Sequence, residues 1–183
     1  MSDIYVSDQL YTTAPTDGNR LPKEMVVYQL LDELTIPYER IDHDHADTME
    51  ACELIDQKLG VTMCKNLFLR NQQKTTFFLL LMPGDKKFMT KELSKQLGIS
   101  RLSFAEPEYM EQYLDITPGS VSVLGLMNDL KQDVHLLIDK DIIDAEYIGC
   151  HPCVNTASLK IKTEDILEKF LQHTGHRYSV VKL

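Results

Sequence analysis

The chain has 183 residues, of which 43% are hydrophobic, and its formal net charge is −9. This length and apolar content fit one globular domain with a sizeable core. The acidic balance argues against a nucleic-acid coat protein and against DNA as a partner, because such binding depends on cations that neutralise phosphates. There is no run of about 18 apolar residues, so we expect no membrane span.

Four cysteines are too few for a disulfide scaffold, so we expect reduced thiols and a cytoplasmic protein. The N-terminus lacks a basic stretch followed by an apolar one, which predicts no secretory signal. Residues 1–21 are rich in turn formers and are expected to form a flexible arm. The domain itself is predicted over residues 22–183.

Apolar periodicity predicts interleaved helices and strands. A helix over residues 23–34 and a strand over 38–41 are followed by a second helix, capped by Asp47 and ended by Gly60. Residues 63–69 and 75–82 are predicted to form a hairpin, and its second strand, apolar on both faces, should be central.

The second half of the chain continues the alternation. Short helices are predicted at residues 90–97, capped by Thr90, and 106–114, with strands at 134–138, 144–148, 156–161 and 178–181 and a helix that Thr163 caps. The predicted class is a single-domain α+β fold, with a curved mixed or antiparallel sheet surrounded by helices.

Gly149 to Thr156 is a polar cluster between two predicted strands, and it contains Cys150 and Cys153 in CxxC spacing. One CxxC is half of a tetrahedral zinc site, and only His43 and His45 could supply further ligands, so we expect no metal. A redox CxxC is expected where a strand leads into a helix, whereas a strand follows here. Two buried packing thiols are the favoured interpretation.

His151 precedes Pro152, which biases the backbone of the preceding residue away from the helical region and so aims the histidine side chain. It is either a pocket histidine that contacts a ligand or a structural histidine whose hydrogen bonds are made within the protein.

Lys65 lies within a predicted apolar strand. It is either a surface cation or a cation that binds a phosphate or carboxylate group. The turn that begins at Gly119 is either an ordinary loop or a turn whose unpaired backbone N–H groups bind an oxyanion.

A basic run lies in the middle of the chain. Five cations fall within sixteen residues, and Lys65 could join them in space: Lys86, Lys87, Lys91, Lys95 and Arg101. They form either a solvated helix face or a local contact with RNA.

Three segments together resemble the YbaK/prolyl-tRNA synthetase-associated family of aminoacyl-tRNA deacylases, in particular its stand-alone PrdX-like members. These segments are Cys64 to Leu69, Thr117 to Asp129 and His151 to Ser158, and the resemblance extends over about residues 21–170. It implies a hydrolase without a cofactor that cleaves the ester of mischarged aminoacyl-tRNA, with alanyl-tRNA(Pro) as the expected substrate. The implied partners are the tRNA 3′ acceptor end and prolyl-tRNA synthetase.

The resemblance also implies residue roles. Lys65, His151 and Gly119 match the family's catalytic positions, and the implied substrate-binding residues are Asn66, Ser120, Val121, Ser122, Pro152 and Asn155. No side-chain nucleophile is needed if a ribose hydroxyl helps to activate water. Val123 stands where the family commonly has the proline of a GxxxP loop, which predicts a less rigid loop. A non-catalytic module that binds aminoacyl-tRNA or an amino acid is the alternative.

Overall fold

The computed structural model describes residues 4–183, and eight strands in that range form two sheets. The strands are β1 (Tyr38–Asp42), β2 (Lys65–Asn71), β3 (Phe77–Met82), β4 (Leu102–Phe104), β5 (Val134–Asp139), β6 (Tyr147–Cys150), β7 (Ala157–Lys162) and β8 (Tyr178–Val181). A three-stranded antiparallel sheet has the order β1-β7-β6. A five-stranded mixed sheet has the order β4-β2-β3-β5-β8.

Helices cover both sheets, which confirms the predicted α+β class. They are α1 (Pro22–Glu33), α2 (Met49–Leu59), α3 (Thr90–Leu97), α4 (Pro107–Leu114), α5 (Lys140–Ile143), α6 (Thr163–Asp165) and α7 (Leu171–Thr174). A 3₁₀-helix spans Val123–Asn128, and a π-helical turn, Ile166–Phe170, joins α6 to α7. Within residues 4–183, none of the helices combines the length and the apolar character that crossing a bilayer requires.

The central strand is β3, as its apolar sequence predicts. It pairs antiparallel with β2 and parallel with β5, and all six of its residues are buried. Successive side chains of a strand point to opposite faces. Accordingly Phe77, Leu79 and Leu81 join the larger core cluster, whereas Phe78, Leu80 and Met82 join a second cluster on the other face.

Gly149 connects the two sheets. Met63 and Gly149 form a parallel bridge just before β2, and the Cys64 N–H donates to the Gly149 carbonyl at 2.9 Å. A Cβ atom on Gly149 would lie 2.9 Å from Met63 Sδ and 3.1 Å from Met63 Cα. Glycine therefore permits the close approach, which brings the start of β2 beside the polar cluster that follows β6.

The N-terminal segment, where it is described, lies against β1. Val6 forms a bridge with His43 and Tyr11 with Arg40, and the Ser7 N–H donates to the Asp42 carbonyl at 2.8 Å. Residues 1–3 of the predicted arm lie outside the described residues. The domain boundary at residue 21 stays a prediction.

Three predicted helix caps are wrong by one residue. Thr48, not Asp47, caps α2, and its hydroxyl accepts from the Ala51 N–H at 3.2 Å. Thr90 and Thr163 are the first residues of α3 and α6 rather than their caps. Helix α2 therefore begins one residue later than a cap at Asp47 implies, whereas α3 and α6 begin one residue earlier than caps at Thr90 and Thr163 imply. A capping pattern in the sequence locates a helix start only to within one or two residues.

Candidate active site

Lys65 and Asn66 occupy the first two positions of β2, at the end where β2 leaves the bridge to Gly149. The Lys65 ammonium is half-buried and donates to the backbone carbonyl of Lys86. The Asn66 side chain reaches across to the 3₁₀-helix, where its Oδ1 accepts from the Val123 N–H at 2.9 Å. Asn66 therefore fixes the position of the loop relative to β2.

The Gly119 turn is a type II β-turn. Its first residue, Thr117, accepts from the Ser120 N–H at 3.2 Å, and Pro118 and Gly119 fill the two central positions. Gly119 has φ +91°, which the third position of a type II turn requires and which side chains disfavour. The Pro-Gly pair thus has a defined conformation.

Several N–H groups in this loop remain available. The Ser120 and Val123 N–H groups are used by Thr117 and Asn66. The Ser122 hydroxyl, fully buried, caps the 3₁₀-helix by accepting from the Leu124 N–H at 3.2 Å. Within residues 4–183, the N–H groups of Gly119, Val121 and Ser122 have no acceptor. Such a run of backbone donors is suited to an anion or a polarised carbonyl.

His151 is fixed by a single hydrogen bond. Its Nδ1 lies 2.9 Å from the Ala157 carbonyl oxygen, and because a carbonyl can only accept, we assign the proton to Nδ1. Burial lowers the pKa of His151, and His43 lowers it further through its charge. The ring is therefore neutral near pH 7, and Nε2, with no partner among the described residues, is an acceptor.

Asn155 faces the Gly119 turn. A Cβ atom on Gly119 would lie 3.9 Å from Asn155 Nδ2. Asn155 is 8% exposed, and its Oδ1 is buried without a hydrogen-bond partner within residues 4–183. A buried amide oxygen without a partner is uncommon, which marks Asn155 as a candidate contact for a ligand.

The structure joins some of the predicted residues directly and leaves others apart. Asn66 is bonded to the start of the 3₁₀-helix, and Gly119 lies against Asn155. Ser120 and Pro152 are buried, and Val121 is half-buried against the core. In the described chain, no hydrogen bond links Lys65 to His151 or Gly119. The arrangement offers backbone donors and a neutral histidine, with a cation on β2.

The cysteines near the site are inert in this setting. Cys150 and Cys153 are buried and free, and Cys153 adopts φ +63°. Burial raises the pKa of Cys153 and that of Cys64 to about 12, and it raises the pKa of Cys150 as well. Over residues 4–183, no group of three metal-ligating side chains is present. The thiols are thus protonated at neutral pH, which disfavours nucleophilic or redox roles.

His43 is a neighbour of the site that sequence reasoning considered only as a zinc ligand. Its ring centroid lies 6.2 Å from that of His151. Its Nδ1 donates to the Asp44 carbonyl at 2.7 Å, and its Nε2 accepts from the buried Ser158 hydroxyl at 2.8 Å. The pairing of β1 with β7 brings His43 there, because their register places Asp42 opposite Ala157. No local pattern in the sequence indicates this contact.

Comparison with known proteins identifies the class. A family model described as the aminoacyl-tRNA editing domain matches residues 43–169. With the fold and the site above, this match defines the chain as an aminoacyl-tRNA deacylase, an enzyme whose substrate is aminoacyl-tRNA. The chain belongs to the aminoacyl-tRNA editing domain family.

Individual relatives agree with this assignment. The chain is 34% identical to the prolyl-tRNA editing protein ProX of Acetoanaerobium sticklandii, over 87% of this chain and 97% of the relative. It is 31% identical to prolyl-tRNA synthetase associated domain-containing protein 1 of Danio rerio, over 89% and 86%. A solved structure of a candidate trans-editing enzyme for prolyl tRNA synthetase superposes with a TM-score of 0.65 at 14% identity, over 90% and 99% of the two chains. That superposition supports the fold.

Proposed function

We propose that this protein is a trans-editing deacylase that hydrolyses alanyl-tRNA(Pro). The observation that carries the proposal is the Gly119 loop: it has unused N–H groups, it lies against Asn155 at Gly119, and Asn66 fixes it to β2. The family match supports the reaction class, and the name of the relative from A. sticklandii supports a tRNA(Pro) substrate.

In this mechanism the loop acts on the ester carbonyl. The free N–H groups of Gly119, Val121 and Ser122 are the donors available to stabilise the oxyanion that develops when water attacks. An aminoacyl ester is already activated, so positioning and carbonyl polarisation are sufficient without a side-chain nucleophile. A terminal ribose hydroxyl of the tRNA assists the attacking water.

His151 and Asn155 bind the aminoacyl part. The neutral Nε2 of His151 accepts a hydrogen bond from the amino group of the substrate, and Asn155 Oδ1 gains the donor that it lacks. Pro152 holds the backbone that aims His151. Lys65, which lies on β2 and donates to the Lys86 carbonyl, is the proposed cation for the 3′-terminal phosphate. We infer a small aminoacyl pocket, which favours alanine over larger side chains by size.

The hydroxyl-assisted step has a direct test. Alanyl-tRNA(Pro) is prepared with a terminal adenosine that lacks the ribose hydroxyl adjacent to the ester, and single-turnover hydrolysis is compared with that of the natural substrate. We expect loss of hydrolysis with little change in binding, because the water loses its assisting group. Equal rates would assign water activation to the protein instead.

We also propose prolyl-tRNA synthetase as a partner. The net charge of −9 predicts modest affinity of the isolated protein for tRNA, and delivery by the synthetase would offset it. Sedimentation of the two purified proteins, with and without tRNA(Pro), tests this association. Independent sedimentation in both conditions would contradict it.

A further inference from the structure

A groove leads away from Lys65 along the edge of the five-stranded sheet. One hollow of about 440 Å³ is lined by Lys65 and Phe88, and it continues past Thr90, Lys91 and Phe104. A second hollow of about 650 Å³ shares the last three of these residues and runs between α3 and β4. The two hollows form one groove, here called the α3–β4 groove, that starts at the proposed catalytic lysine.

The charge of this groove is opposite to that of the chain. Four cations line it, Lys65, Lys91, Lys95 and Arg101, and its lining contains no Asp or Glu. Within residues 4–183 none of the four forms an ion pair, and the last three are exposed. By contrast Lys86, from the same basic run, is paired with Asp139 and Asp141. A concentration of unpaired cations in a chain of net charge −9 predicts an anionic ligand.

The groove also exposes an aromatic ring. Phe104 is 57% exposed on the edge strand β4, and Phe88 supports it edge-on, with ring centroids 6.0 Å apart and planes at 74°. Met89, beside them, is 48% exposed. Cations next to an exposed ring are the combination that binds single-stranded nucleic acid, since cations contact phosphates and bases stack on the ring.

We propose that the α3–β4 groove binds the unpaired 3′ nucleotides of the tRNA substrate, with Phe104 as the stacking platform for a base. Lys91, Lys95 and Arg101 contact the backbone phosphates that follow. This inference rests on the proposed function, because it places the strand that leads to the ester beside Lys65. The groove thereby gives an acidic protein local affinity for RNA.

The first test measures RNA binding without catalysis. A fluorescein-labelled RNA tetranucleotide, ACCA, is titrated with the wild type and with Phe104→Leu, Phe104→Tyr and Lys91→Ala/Lys95→Ala, using fluorescence anisotropy. Phe104→Leu is expected to weaken binding about tenfold, whereas Phe104→Tyr retains the ring and binds like the wild type. Removing two phosphate contacts should reduce the salt slope of log K by about 1.4, at about 0.7 per contact.

The control is Lys131→Ala, which removes an exposed cation that lies outside the groove. It should bind the tetranucleotide like the wild type. The inference is overturned if the wild type does not bind, if either Phe104→Leu or the double lysine variant binds like the wild type, or if Lys131→Ala loses as much affinity as the double variant. In that case the basic run is a solvated helix face.

A second readout separates this inference from the proposed reaction. The same variants are assayed on alanyl-tRNA(Pro) and on the alanyl ester of adenosine, which lacks the preceding nucleotides. Groove variants should lose activity on the tRNA through KM and keep it on the small ester. Equal loss on both substrates would overturn the groove assignment, whereas tetranucleotide binding without any hydrolysis by the wild type would overturn the proposed reaction alone.

Discussion

Asn66 accepts a hydrogen bond from the Val123 N–H at 2.9 Å, and this bond joins β2 to the loop that carries the unused backbone donors. The sequence resemblance places the proline of a GxxxP loop at Val123, and proline has no N–H to donate. Here a hydrogen bond fixes the loop at the residue where a proline would restrict it. The expectation of a less rigid loop from Val123 alone did not include this bond.

We predict that Asn66→Ala lowers the deacylation rate about tenfold, because the loop donors lose their alignment with the ester. The free energy of unfolding should fall by about 1 kcal/mol, the usual net contribution of one hydrogen bond. Single-turnover kinetics and urea unfolding measure the two effects.

The matched variant is Val123→Pro in the Asn66→Ala background. Val123 is the first residue of the 3₁₀-helix, and Ser122 before it has φ −146° and ψ 144°, which proline accepts in its predecessor. Proline should therefore recover part of the lost activity. A further loss would show that Asn66 acts on the substrate and not through the loop.

Gly119→Ala should reduce activity through backbone strain. Its φ of +91° disfavours a side chain, whereas its nearest neighbour, Asn155 Nδ2, lies 3.9 Å from the added Cβ and does not clash. We expect a cost of about 1–2 kcal/mol in stability. Gly18→Ala is the control, because Gly18 has φ +74° and open space around it. Thermal unfolding should shift similarly in both variants, and only Gly119→Ala should lose deacylation. Similar activities would remove the loop from the mechanism.

Stability should fall as the pH falls below about 6.5, the ordinary pKa of histidine. Burial lowers the pKa of both His43 and His151 in the folded state. The unfolded chain therefore binds protons first as the pH drops, which favours unfolding until the folded-state pKa values are passed. Urea unfolding between about pH 8 and about pH 5 measures the trend. In His151→Gln the dependence should be shallower, and an unchanged slope would contradict the assignment.

Deacylation should show an acid limb for a related reason. Protonation of His151 removes the Nε2 acceptor, so kcat/KM should fall once the pH drops below the pKa of His151. Because burial lowers that pKa, the fall should occur at a pH below 6.5. The profile of His151→Gln lacks this limb and starts from a lower plateau. A limb that persists in the variant would belong to another group.

Thiol labelling should distinguish packing cysteines from reactive ones. Cys52 is exposed, with a pKa that partial burial and the nearby Asp56 raise, whereas burial raises the pKa of Cys64 and of Cys153 to about 12 and raises that of the buried Cys150 as well. In native protein at about pH 7.5 we expect one fast-reacting thiol, and four after denaturation. Mass spectrometry of alkylated peptides counts them. Rapid labelling of Cys150 or Cys153 would contradict the packing role and favour a redox or metal-binding role for these thiols.

The fold was largely predictable from sequence because its strands are strongly apolar and its helices periodic. The all-buried run in β3 identified the central strand, and the Pro118-Gly119 pair identified a turn. The short edge strand β4 and the 3₁₀-helix were not predicted, since three and six residues carry little periodic signal.

The site was less accessible to sequence reasoning. Contacts such as Asn66 with Val123, or His43 with His151, join residues 57 and 108 positions apart and depend on how the two sheets meet at Gly149. No local pattern encodes such distances. The catalytic and binding roles of the site residues therefore remain predictions that the variants above test.

Single-turnover hydrolysis of alanyl-tRNA(Pro), measured beside prolyl-tRNA(Pro) with saturating enzyme, tests whether this protein is an editing deacylase for tRNA(Pro). We expect the enzyme to cleave the alanyl ester at least about tenfold faster than buffer does and to spare the prolyl ester, and we expect Lys65→Ala to lose this activity. An alanyl-ester rate equal to that of buffer, or equal cleavage of both esters, would contradict this function.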